Sequence, residues 1–169
     1  MFNKRIAFMI MVGALLFGLS ACNKEEAASA PEEAAVETVA LPAADAPPTD
    51  WKKYLAAVVM QNMQGVKTSR PYMYFVPGGD GGKAILDRSN QLDNVSVTVS
   101  RGVLPGNMLA FGGPDSSITA DLIIEAFENA GAGTFKDVTV LFVGAQADSD
   151  RVKEALASSG ATYRFAEMK

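Results

Sequence analysis

Hydrophobic positions follow three regimes along the chain. Residues 6–19 are an apolar run without a charged residue, residues 23–50 draw most of their apolar content from alanine, and from Trp51 onward the apolar residues recur with the periods of regular secondary structure. Trp51, Tyr54, Leu55, Val58, Val59 and Met63 repeat at helical spacing, which predicts a helix with Asp50 as its N-cap and Gly65 at its close. Arg70-Pro71 forces an extended backbone, so residues 72–76 read as a first strand, ended by Pro77 and the cluster Gly78 to Gly82. A short helix is expected over 83–91. Over 94–100, Val95, Val97 and Val99 alternate with Ser96, Thr98 and Ser100, the pattern of a half-exposed strand near a sheet edge.

The remainder is the most regular part. Strands are expected over 108–111, 138–143 and 162–165, with helices between them over 117–130 and 149–159. Alternating strands and helices imply parallel strands joined by right-handed crossovers, and the nearly continuous apolar run Val138 to Val143 suits a strand buried on both faces. The prediction is a small three-layer α/β sandwich with a mixed, mainly parallel sheet of about five strands.

Charge separates this domain from what precedes it. Residues 23–50 hold seven acidic residues and one lysine, whereas residues 51–169 hold twelve basic and twelve acidic residues. The acidic, Ala-, Pro- and Glu-rich stretch lacks aromatics and cannot bury enough surface to offset chain entropy, so it reads as a disordered tether with a span of about 30 Å. The expected organisation is a signal peptide over 1–21, a tether over 22–49 and one globular α/β domain over 50–169. A near-neutral domain without a basic run has nothing to neutralise phosphates, which argues against nucleic acid as a partner.

At the N-terminus, Lys4 and Arg5 precede the apolar run, which is short of the roughly 20 residues that span a bilayer and ends in Leu19-Ser20-Ala21-Cys22. This arrangement resembles the lipobox of bacterial lipoproteins, in which small residues precede a cysteine that is acylated and becomes the mature N-terminus. The resemblance covers the first 22 residues only, and Cys22 is the sole cysteine of the chain. It implies lipid attachment at Cys22 and an envelope location. In that family an aspartate after the cysteine signals retention in the inner membrane, so Asn23 favours the outer membrane, with the domain facing the periplasm or exposed at the cell surface. Each buried methylene of an acyl chain adds about 0.8 kcal/mol, so several chains on one cysteine anchor stably.

Three glycine- or acid-rich loops follow expected strands, at Pro77 to Lys83, Phe111 to Ser117 and Gly144 to Asp150. Ligands of open α/β sheets bind at strand carboxyl ends, where helix N-termini attract anions. Gly112, Gly113, Asp115, Ser116 and Ser117, with Lys83 as counter-charge, are the candidate ligand-binding residues; the same residues are also ordinary turn and N-cap types. Gly78 to Lys83 is not a phosphate loop, because Pro77 and Ala84 stand where Gly and Ser or Thr are required.

The chain has no histidine, and its one cysteine is assigned to lipid, which removes Ser-His-Asp and Cys-His catalysis, thioredoxin-like redox chemistry and His- or Cys-built zinc sites. Met60 and Met63 offer soft sulfur ligands, but Met63 falls on the apolar helix face, so no metal or cofactor is expected. Two functions stay open. One is a non-catalytic interaction or assembly module that meets an envelope protein through a sheet edge, with Tyr72, Tyr74 and the Val95 to Val99 segment as exposed candidates. The other is small-molecule (anion) binding or hydrolysis by the glycine-rich loops.

The anchor is directly testable. Cys22→Ser should abolish metabolic fatty-acid labelling and leave an unprocessed or soluble species, and label persisting in the variant would overturn the lipoprotein assignment.

Overall fold

A computed structural model describes residues 39–169; the signal segment, Cys22 and the first part of the acidic stretch lie outside the described residues. The elements are α1 (Pro48–Gln61), β1 (Tyr72–Phe75), α2 (Gly82–Arg101), β2 (Met108–Gly112), α3 (Ser116–Phe127), β3 (Thr139–Gly144), α4 (Gln146–Leu156) and β4 (Thr162–Glu167). The four strands form one sheet in the order β1-β2-β3-β4, every neighbouring pair parallel. The sandwich has the expected α/β class and three layers, but its sheet has four strands and is wholly parallel.

The missing fifth strand is the segment 94–100, which forms the C-terminal half of α2. Alternation with period 2 and helical repetition share positions i and i+4, so Val95 and Val99 satisfy both patterns. Val97 distinguishes them. It is 45% exposed, while Val95 and Val99 are buried on the helix face that continues through Leu92. β-branched residues disfavour a helix only slightly, and packing against the sheet overrides that preference.

Because each strand is followed in space by the next in sequence, right-handed crossovers carry α2, α3 and α4 to the same face. They bury Val95, Val99, Ile123, Phe127, Val152 and Leu156 against Tyr74, Leu109, Phe111, Val140 and Phe142. The opposite face belongs to α1, whose Trp51, Tyr54, Leu55 and Val59 pack on Met108, Ala110, Leu141 and Val143. Successive residues of β2 and β3 therefore point alternately into the two cores, the reason both strands are apolar throughout.

Pro47 and Pro48 open α1 in place of the expected Asp50 cap, and Asp50 sits in the first turn, where a carboxylate complements the helix dipole. The indole of Trp51 donates to the Ala43 carbonyl at 3.1 Å, tying the entering chain to the helix. At the other end, Arg164 of β4 donates to the carbonyls of Asn62 and Gln64, just beyond the α1 C-terminus. Among the described residues no helix is long and apolar enough to cross a membrane.

The two readings of 94–100 make opposite demands on Val97. Val95→Ala should cost about 2 kcal/mol in urea unfolding, and Val97→Ala should stay within about 0.5 kcal/mol. Equal losses at both positions would contradict the helical placement.

Candidate functional site

The ligand-binding candidates lie near the carboxyl ends of β1 and β2, from the last residue of β2 through the start of α3 and at the start of α2, and the structure gives most of them internal partners. Asp115 is the N-cap of α3, its carboxylate accepting from the Ile118 amide at 3.0 Å. Ser116 accepts from the Ala145 amide at 2.7 Å and donates to Asp148 at 2.5 Å, linking the start of α3 to the start of α4. Ser117 accepts, through its carbonyl and hydroxyl, from the Arg151 guanidinium at 3.0 and 3.2 Å.

Arg151 is the hub of this region. With Ser117, Asp121 at 2.6 Å fastens α4 to α3 through it, and Asp148 at 3.0 Å holds it from within α4. The hydrogen bond to Asp121 and the neighbouring carboxylates hold its pKa above the ordinary guanidinium value. Its Nε, Nη1 and Nη2 each donate to a protein acceptor, which commits the guanidinium to the fold.

Gly112 and Gly113 are buried, and their lack of a side chain serves packing. A Cβ on Gly112 would stand 3.0 Å from Leu55 Cδ1 and 3.2 Å from Val143 Cβ, so this glycine lets α1 settle onto the sheet. A Cβ on Gly113 would run into the Val76 carbonyl oxygen. Neither glycine lines either of the two clefts beside β1.

Lys83 and Asp115 share a cleft of about 730 Å³ between the start of α1 and the first two strand-end loops, with Trp51, Asp45 and Asp87. Its charge is wrong for an anion: three carboxylates face one ammonium, and Lys83 is already paired with Asp87 at 2.5 Å. The strand order also lacks a reversal, and such a reversal creates the ligand crevice in doubly wound sheets. Of the two methionines considered as soft ligands, Met63 packs against the α1 core and Met60 is 70% exposed.

The edge of β1 is different. Its inner side is fixed by the Val76 amide donating to the Gly112 carbonyl at 2.9 Å, which places residues 72, 74 and 76 toward β2. The backbone groups of Pro71, Met73, Phe75 and Pro77 therefore face outward. Proline has no N–H, so the outer edge offers only the amides of Met73 and Phe75 as donors. Tyr72 and Met73 are 45% and 49% exposed. Tyr74, grouped with Tyr72 in the sequence as an exposed candidate, belongs to the core. It stacks on Phe111 with centroids 5.0 Å apart and donates to Thr98 at 3.1 Å, and burial raises its pKa.

This edge forms the floor of a groove of about 750 Å³. Pro48, Lys52 and Leu55 of α1 line it on one face of the sheet, and Asp87, Asn90, Gln91 and Asn94 of α2 on the other. Lys52 extends over the Phe75 ring, 5.8 Å from its centroid. The sequence signal for this arrangement is the pair Pro71 and Pro77 bracketing a short apolar run, since proline is compatible with an edge strand and not with a central one. Compared with protein-family models, curated proteins and solved structures, the chain matches none.

If the loops serve packing, stability should follow geometry. Gly113→Ala should cost about 3 kcal/mol through backbone collision, and Asp115→Ala about 1 kcal/mol through the lost cap. Lys83→Ala should stay within about 0.5 kcal/mol because an exposed pair contributes little. Chemical denaturation of the three variants checks this order, and a Gly113→Ala protein as stable as the parent would refute the packing role.

Proposed function

We propose that the chain is an outer-membrane lipoprotein, anchored through Cys22, whose domain acts as a non-catalytic protein-interaction module. The observation that carries this reading is the open edge of β1, a backbone surface set in a groove between two helices. Strand edges pair readily with other chains, and natural proteins usually cover or charge them. This one keeps two donors and two large exposed side chains, Tyr72 and Met73.

The sequence Leu19-Ser20-Ala21-Cys22 supports the anchor, and the acidic stretch after it supplies reach. The strand-end loops give no support to the anion-binding or hydrolytic alternative. Their hydroxyls and carboxylates hold α3 to α4, and the cleft that they flank carries an excess of negative charge.

A photo-crosslinking amino acid at position 72 tests the reading in intact cells. A discrete crosslinked product from the membrane fraction is expected there, and none from the same residue at Gln146 on exposed α4. Absence of any product at position 72, or the same products at both positions, would sink it.

A further inference from the structure

We infer that the β1 groove receives a short extended peptide as a fifth strand, with apolar side chains and one carboxylate turned toward α1 and hydrogen-bonding side chains turned toward α2. This rests on the interaction-module reading and specifies the partner that such a module takes.

The backbone sets the length. Outward donors exist only at Met73 and Phe75, because Pro71 and Pro77 occupy the next outward positions on either side. A paired segment thus gains a ladder of about four residues, and its binding must draw on side chains as well as backbone.

The two walls of the groove set the chemistry. Side chains of an added strand alternate between the faces of the sheet. On the α1 side they meet Met73, Phe75 and Leu55, an apolar surface, with Lys52 above Phe75. Among the described residues Lys52 has no carboxylate partner; its neighbour Lys53 pairs with Asp50 at 3.9 Å. An acidic side chain at the matching position of the peptide supplies that charge. On the α2 side Asn90, Gln91 and Asn94 present amide groups that both donate and accept, which suits Thr, Ser, Asn or Gln.

The opposite edge is the natural comparison. On β4, the amides of Thr162 and Met168 donate to β3, so Tyr163, Phe165 and Glu167 face outward. That edge carries charged Glu167 paired with Lys169, whereas the protection of β1 is limited to the prolines that end its donor row.

The test uses the isotope-labelled full chain in detergent micelles and two synthetic eight-residue peptides, Val-Thr-Val-Thr-Glu-Thr-Val-Thr and its variant with Lys for Glu. Amide exchange should slow at Met73 and Phe75 with the Glu peptide, and not at Tyr163 or Phe165. Lys52→Glu should weaken the Glu peptide fivefold or more and reverse the preference in favour of the Lys peptide. Met73→Pro removes an outward donor that β2 does not use, so it should lose binding while keeping its melting temperature. The charge exchange at Lys52 keeps the proposal falsifiable if that variant does not fold.

Protection at Tyr163 and Phe165, equal affinity of both peptides for both proteins, or no binding at all would overturn the proposal. So would slowed exchange at Met73 and Phe75 without peptide, accompanied by a dimer in sedimentation, since a second copy would then be the occupant. A position-72 crosslink in cells combined with any of these results would leave the interaction module standing and remove strand addition alone.

Discussion

A sheet whose strands follow one another in space as they do in sequence cannot cover both of its faces with its own crossovers. Their common handedness sends every connecting helix to one side, and the other side stays apolar and bare. In this domain the bare side is closed by α1, a helix that lies outside the strand-helix repeat and precedes it in the chain. Everything on that side depends on its seating. Ala110 and Gly112 keep the middle of the sheet low, Trp51 ties the helix start to Ala43, and Arg164 satisfies carbonyls beyond its end.

The same topology explains why the glycine- and serine-rich loops became fastenings. With all three crossovers on one side, the strand-end loops run alongside one another, and α3 and α4 begin close together. Ser116, Asp148 and Arg151 then find each other before any ligand could. N-cap chemistry and anion-site chemistry use the same residue types, so the sequence alone presents both. What separates them is whether the side-chain oxygens have partners in the fold.

How legible the molecule was depended on whether a pattern had one physical meaning. Strands β2 and β3 and the helix between them could be read from the chain, because a short, nearly continuous apolar run bounded by turns has few other uses. The valine alternation after Asp93 could not, since a strand and a helix face both place apolar residues at Val95 and Val99, and the deciding fact, that Val97 meets solvent, is tertiary. Lys83 and Asp115 line one cleft, but Asp45, which with Asp87 gives that cleft its excess of carboxylates, comes from a segment that no local pattern joins to them. The outward donors of β1 were concealed for a similar reason. Backbone direction follows from register with β2, while the only trace in the chain is a proline at each end of a short run.

Those two prolines have a consequence for crowded molecules. A parallel sheet with both margins open presents two edges that match in direction, so one copy's β1 could dock on the next copy's β4 and the stack could grow without a closing step. Pairing of that kind needs an unbroken row of donors to become strong. By ending the row after two amides, Pro71 and Pro77 leave too little backbone to propagate a fibre, a safeguard whose value rises with local concentration.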